Sequence, residues 1–229
     1  EDNCESLGSS YKNKLLGTFG DFSTFSFYYS HQLTAGEGGM IVCKNLKDYK
    51  LLQTLRAHGW DREIKKTKNT FNFVNQGFNL RPLEVSAAIG LNQLKRLKLM
   101  ISVRKKNRDN IIKAMKASIK WKDQYSFFEG NKHLKPSWFS LPLLINDKFL
   151  RKKNLFLKYL KNKKVETRPI ISGNFVNQPC IDLHKIKYNK RELKNSEEIE
   201  KRGFFIGLPT RPLKNITVQI LANILLDLK

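Results

Sequence analysis

The chain has 229 residues, 40% hydrophobic and 28% charged, and its 43 Lys and Arg against 20 Asp and Glu give a formal net charge of +23. That length supports one large or two small domains with a real core, and no apolar run approaches the roughly 18–20 residues that span a bilayer. No signal peptide is visible, and three well-separated cysteines (Cys4, Cys43, Cys180) form neither a CxxC pair nor an even-numbered framework, so a reducing cytoplasm is the simplest reading.

The lysine clusters, among them Arg104-Lys105-Lys106, Arg151-Lys152-Lys153 and Lys161-Asn162-Lys163-Lys164, are scattered along the whole chain. No zinc-finger, RNP or helix-turn-helix signature accompanies them, so nucleic-acid binding is not expected. In chain order, Glu1-Asp2-Asn3-Cys4 reads as the end of a buried strand, and with no Met at its head the chain is expected to lack an N-terminal part. Residues 22–28 alternate as a strand, Gly36 to Gly39 form a turn, and Met40 to Cys43 a short apolar strand. Leu46 to His58 reads as a helix, and the polar, Lys- and Asn-rich Asp61 to Gln76 as a loop. Pro82 is expected at the first position of a helix, where its missing N–H costs nothing, with Leu83, Ala87, Leu91 and Leu94 on one apolar face. A further helix spans about Ile101 to Ala117.

Composition shifts over 120–136, with Gly130-Asn131-Lys132 and Pro136, which places a domain boundary at 120/121. Beyond it come a strand from Trp138 to Ile145 and a helix from Leu150 to Lys161 with i, i+4 pairs Leu155/Tyr159 and Phe156/Leu160. A short strand at Val165 to Ile170 follows, then a capping box at Asn195-Ser196-Glu197-Glu198. A last amphipathic helix is lined by Ile216, Ile220, Ile224 and Leu228. Alternating helices and strands predict an α/β fold.

The most informative residue is His31, six positions before Glu37 in Ser26-Phe27-Tyr28-Tyr29-Ser30-His31-Gln32-Leu33-Thr34-Ala35-Gly36-Glu37-Gly38-Gly39. This stretch resembles the cofactor-lysine segment of the DegT/DnrJ/EryC1/StrS family, sugar aminotransferases that use pyridoxal phosphate and place a lysine six residues before the Glu of a Glu-Gly-Gly turn. Further similarity lies in Glu1-Asp2-Asn3-Cys4-Glu5-Ser6-Leu7-Gly8, Gly17-Thr18-Phe19-Gly20, Arg56-Ala57-His58-Gly59-Trp60 and Gly77-Phe78-Asn79-Leu80-Arg81-Pro82-Leu83-Glu84. It continues in Glu166-Thr167-Arg168-Pro169-Ile170-Ile171-Ser172-Gly173-Asn174-Phe175. The motifs are individually only moderately specific; their order and spacing carry the resemblance. It implies that residues 1–120 are the C-terminal portion of the large domain of a PLP-dependent fold type I protein, a mixed sheet with helices. Residues 121–229 would be a smaller α/β C-terminal domain.

The resemblance also implies roles. A lysine at the position of His31 makes a Schiff base with the cofactor aldehyde; an imidazole cannot, and what remains to it is proton transfer. That points to a 3-dehydratase rather than an aminotransferase. Asp2 would pair with the pyridine nitrogen and keep the ring an electron sink, with Glu5 against the ring or the substrate. Ser26 would donate to the cofactor phosphate, and Asn79 would reach the phosphate of a neighbouring subunit, implying a homodimer. Arg168 and Asn174 would bind the sugar or its diphosphate, a strand-end salt bridge being an equal alternative. Arg56 and His58 sit in a block that borders such sites. Gln32 departs from the family's dehydratases, where a second His commonly follows, so the support of the His31 ring is expected to differ.

The expected activity is removal of the C3 hydroxyl of a 4-keto-6-deoxy hexose nucleotide, GDP-4-keto-6-deoxymannose favoured, in deoxysugar synthesis for O-antigen and lipopolysaccharide. The cofactor would be pyridoxamine or pyridoxal phosphate, and the amino donor glutamate. The positive field would draw in a nucleotide-diphosphate sugar. Two alternatives stand beside it. An iron–sulfur CDP-4-keto-6-deoxyglucose 3-dehydrase would carry a cysteine cluster between Trp60 and Gly77, where this sequence has no cysteine. A non-catalytic sugar-nucleotide-binding remnant would keep the fold without the chemistry. No metal ligands are expected, nor any membrane partner.

Overall fold

The structure is a computed structural model that describes residues 1–64 and 71–228. The strands are β1 (Ser10–Tyr11), β2 (Lys14–Leu15), β3 (Phe22–Ser26), β4 (Gly39–Cys43), β5 (Tyr125–Phe127), β6 (Leu134–Lys135), β7 (Ser140–Ile145) and β8 (Gly203–Gly207). The helices are α1 (Leu46–Arg56), α2 (Glu84–Leu94), α3 (Leu97–Lys116), α4 (Asp147–Leu150), α5 (Lys153–Asn162), α6 (Pro179–Leu183), α7 (Lys194–Arg202) and α8 (Asn215–Leu225). The chain is α/β, in two compact units: Glu1–Ile101 with Asn131–Ser137, and Ser102–Gly130 with Trp138–Lys229. Compactness thus divides the chain at 101/102, not at the composition shift of 120/121. Segment 131–137 returns to the first unit because β6 pairs antiparallel with β1 and Ser137 N–H donates to Ser9 Oγ at 2.9 Å.

In the first unit β3 pairs antiparallel with β4, Phe22 opposite Cys43 through to Ser26 opposite Gly39. On its other side the opening segment adds a parallel edge: Asp2 bridges Thr24, Asn3 N–H donates to Thr24 O at 2.9 Å, and Thr24 N–H to Glu1 O at 3.0 Å. The chain leaves β3 at Ser26, makes the 27–38 excursion and re-enters at β4. Phe27 N–H to Gly38 O, 2.9 Å, and Ala35 N–H to Phe27 O, 2.8 Å, close the neck of that excursion. Asn45 caps α1, its side chain accepting from Asp48 N–H at 2.9 Å.

Helix α2 starts at Glu84, two residues after Pro82, with Leu83 in the cap position in an extended conformation. The expected apolar face is present, but no residue of α2 is buried, and Leu83, Leu91 and Leu94 stand exposed. The region expected to be a loop holds pairing at its ends: Trp60 bridges Phe73 and stacks on Phe71 with ring centroids 5.2 Å apart. Its centre, residues 65–70, lies outside the described residues.

The second unit is built on an antiparallel sheet ordered β5-β7-β8. Its core joins Ile111 and Met115 of α3, Leu141, Leu143 and Ile145 of β7, Phe156 and Leu160 of α5, Phe204 and Ile206 of β8, and Val218, Ala222 and Leu225 of α8. The pair Phe156/Leu160 faces inward as its spacing requires. In α8 the buried face is Val218, Ala222 and Leu225, while Ile216 and Ile220 are exposed. The helix is apolar nearly all round, so the sheet rather than periodicity selects which stripe is covered. The expected strand 165–170 shrinks to one bridge, Arg168 opposite Phe205. The expected capping box is not formed: α7 begins at Lys194, directly after a 3-10 turn over Lys190–Leu193, so Asn195 lies inside the helix instead of capping it, and Glu198 pairs with Arg202.

Candidate active site

The site residues hang on β3 and its parallel edge. Side chains two apart on a strand share a face, so Thr24, which Asp2 bridges, and Ser26 point the same way with their Cα atoms about 7 Å apart. Asp2 Oδ1 accepts from Cys4 N–H at 3.1 Å and from Thr24 Oγ1 at 3.4 Å. The Cys4 contacts, backbone first, and the Thr24 hydroxyl hold the Asp2 carboxyl below its ordinary range, so it is a carboxylate at neutral pH. Ser26, closing β3, accepts from Tyr28 N–H at 3.3 Å.

His31 sits in a turn, its N–H donating to Tyr28 O at 3.1 Å, with the Tyr28 ring edge-on at a centroid distance of 5.5 Å. Its Nε2 lies 3.6 Å from Glu5 Oε1, with the imidazole 12% exposed and the Glu5 side chain 35% exposed. Burial, with Asp2 as a second cause, pushes the Glu5 carboxyl up. Three titratable groups expected from sequence therefore converge: a fixed carboxylate, a half-buried carboxyl and an imidazole. Such a set can hold a cationic ring nitrogen at one end and accept or release a proton at the other.

Two contributors carried no role in the sequence. Gln32, 1% exposed, donates its amide to Glu5 O and to Ser137 O at 2.9 Å. Its neighbour position made it visible only as a departure from a pattern. Glu1 accepts from Gly17 N–H at 2.8 Å, Phe19 N–H at 2.7 Å and Gly20 N–H at 2.6 Å. These amides, Gly20 and Gly17 foremost, pull its carboxyl down to about 2. The signal was there: an acid in one motif block and a glycine-bounded turn in the next.

Asn79 stands elsewhere in the first unit, exposed and bridged to Ala57. His58 N–H to Phe78 O, 2.8 Å, and Leu80 N–H to Arg56 O, 2.9 Å, zip the Arg56–Trp60 block to the Gly77–Glu84 block. Gly59, at φ +79°, makes the crossing possible: a Cβ there would meet Asn75 O at 1.7 Å. Arg56 pairs with Glu63, and Arg81 Nη2 lies 3.1 Å from His58 Nε2.

The two residues expected to bind substrate lie in the second unit. Arg168 is held by Glu166 Oε1 at 3.0 and 3.1 Å. Asn174 is 4% exposed, donating its side-chain N–H to Glu197 Oε2 at 3.0 Å and its backbone N–H to Glu200 Oε2 at 2.8 Å. Among the described residues no group of three or more His, Cys, Asp or Glu is placed to hold a metal ion, and no helix is long and apolar enough to cross a membrane.

This α/β chain sets an imidazole beside the carboxylate of Glu5, with Asp2 facing Glu5 from the strand edge. A family model matches residues 1–222: the chain belongs to the DegT/DnrJ/EryC1/StrS aminotransferase family. Among its relatives, GDP-4-keto-6-deoxy-D-mannose 3-dehydratase of Escherichia coli O55:H7 is 38% identical over 221 residues, covering 90% of this chain and 55% of the relative. The solved E. coli GDP-4-keto-6-deoxy-D-mannose 3-dehydratase with bound hydrated PLP superposes with a TM-score of 0.85 at 34% identity, over 98% of this chain and 59% of that one. A histidine-to-asparagine variant of GDP-4-keto-6-deoxymannose 3-dehydratase, solved with GDP-perosamine, gives a TM-score of 0.83 at 33% identity, over 98% and 60%. The chain spans a little over half the length of these relatives.

Proposed function

We propose that this chain is the part of a sugar-nucleotide 3-dehydratase that carries the base, acting on a 4-keto-6-deoxy hexose nucleotide, GDP-4-keto-6-deoxymannose first. The observation that carries this is His31: an imidazole at the family's lysine position, 12% exposed and 3.6 Å from a carboxylate. The relatives that share 33–38% identity and bear the dehydratase name support it.

The residues present fit pyridoxamine or pyridoxal phosphate. A carboxylate kept ionised by its own backbone contacts, as Asp2 is, suits a protonated ring nitrogen, and the strand-end hydroxyl of Ser26 suits a phosphate oxygen. With no amine at position 31, the cofactor would be held without a covalent link. When bound, pyridoxamine phosphate supplies the amine that joins the C4 ketone and a ring that takes up electrons. Asp2 keeps the ring nitrogen protonated. Glu5 would flank the ring, Ser26 would donate to the phosphate, and Asn79 would reach the phosphate of a second subunit. His31 would be the group that accepts a proton beside the bound cofactor and gives one to the departing C3 oxygen. Arg168, paired with Glu166, stands in the salt bridge weighed as its alternative, and Asn174, buried against Glu197 and Glu200, is engaged within the second unit, so neither is assigned to the substrate; glutamate would restore the amine form. Exposed apolar side chains on 80–94, Leu83 and Leu91 among them, support burial against a second copy in a homodimer. The positive charge of the chain favours an anionic substrate.

The test is mass spectrometry of candidate 4-keto-6-deoxy sugar nucleotides after incubation with the full-length protein, pyridoxamine phosphate and glutamate. Loss of one water from the GDP-linked substrate is expected; every candidate returning unchanged defeats the proposal.

A further inference from the structure

We propose that Glu5 is the counter-ion of His31: its carboxylate stabilises the imidazolium that exists whenever His31 holds a proton, and Gln32 positions it there. This rests on the reading that His31 moves protons, and it adds a positioning residue to that reaction.

Glu5 Oε1 and His31 Nε2 are 3.6 Å apart, longer than a hydrogen bond and well within the range where a unit charge on one sets the protonation of the other. The imidazole is nearly covered, so water competes weakly for its charge. The backbone of Glu5 is hydrogen-bonded from the next turn. Gln32, the residue after His31, donates to the Glu5 carbonyl and to that of Ser137. One buried amide thus ties the histidine turn to the opening segment and fixes the approach of carboxylate to imidazole.

The groups facing the pair sharpen the assignment. Asp2 and Cys4 face Glu5 and give it no positive charge. The Tyr28 ring edge faces His31. Among the described residues no lysine or arginine pairs with Glu5, so the imidazolium is the cation it meets. Burial and Asp2 both disfavour the Glu5 carboxylate when it stands alone, and a proton on His31 offsets both. No proton need pass between the two: Glu5 remains a carboxylate, and the gain is in the charged state of its neighbour.

The experiment is an NMR pH titration of full-length protein with labelled His ring and Glu carboxyl carbons, which needs no turnover. In Glu5→Gln the His31 midpoint is expected to fall by about one pH unit, the pair being partly exposed, with Glu5→Asp recovering part of the shift. The acid limb of kcat/KM moves to lower pH with it. In the wild-type protein the Glu5 carboxyl carbon shows an inflection at the His31 midpoint, a readout that requires no variant to fold. An unmoved midpoint in folded Glu5→Gln, or a Glu5 carboxyl curve blind to His31, overturns the inference. A wild-type protein that shows the coupled titration yet dehydrates no sugar nucleotide defeats the functional reading alone.

Discussion

Gln32→Met removes the clamp beneath the candidate base while keeping an unbranched side chain of similar length. Gln32 is 1% exposed, and its amide makes two bonds, to Glu5 O and Ser137 O at 2.9 Å. Each neutral bond contributes about 1 kcal/mol net, and each carbonyl stranded in a buried position costs about a further 1 kcal/mol. Against this, Gln32 Oε1 has no protein partner among the described residues, and replacing it relieves about 1 kcal/mol. The balance is a loss of about 2–3 kcal/mol. With a urea m-value of about 2–3 kcal/mol/M, the unfolding midpoint of the first unit falls by about 1 M at unchanged m. Urea titration followed by fluorescence reads it directly. A midpoint within about 0.2 M of wild type would mean that Gln32 does not hold the Glu5 segment, and the positioning role assigned to it would fall.

Gly59→Ala places a methyl 1.7 Å from Asn75 O at a φ of +79°; a loss of at least about 3 kcal/mol is expected, and a thermal midpoint near wild type contradicts the crossing described at Gly59. For Glu1 the sign is fixed by its direction: its carboxyl falls from the ordinary 4.5 to about 2. Its stabilisation is therefore full above about pH 5 and lost as pH falls toward 2. Glu1→Gln should flatten the acid slope of stability over that window, and an identical slope in variant and wild type counts against the Glu1–turn contacts. His31→Lys should tether pyridoxal phosphate as an imine, visible as an absorbance band that borohydride abolishes by reducing the C=N bond and fixing the cofactor to the chain, while dehydration is lost; a variant that still dehydrates sugar nucleotide speaks against the position argument.

What the sequence showed and what it hid follow from the range of the forces involved. The strand expected over 22–28, of which β3 keeps 22–26, the turn and strand at 36–43 and the pair Phe156/Leu160 follow local periodicity, and local periodicity is enough to read their existence. The convergence of Asp2, Glu5 and His31 was legible only through motif order, because the parallel pairing of the opening segment with β3 is a long-range contact. Helix α8 shows the limit of pattern reading: two apolar stripes compete, and the sheet takes Val218, Ala222 and Leu225. The capping box at 195–198 fails because the turn over Lys190–Leu193 runs straight into α7, which puts Asn195 inside the helix, and the pattern of four residues does not show where the preceding turn ends. The role of Gln32 depends on Ser137, 105 positions away, and no window of sequence contains both.

The central claim, that the imidazole at position 31 is the base of a dehydration, is tested most directly by His31→Ala in the full-length protein. Pyridoxamine phosphate and the GDP-linked 4-keto-6-deoxy sugar are supplied, and loss of water is followed by mass spectrometry. A fall of about 10²–10⁴-fold with the fold retained is expected for removal of a general base; dehydration at the wild-type rate would contradict it.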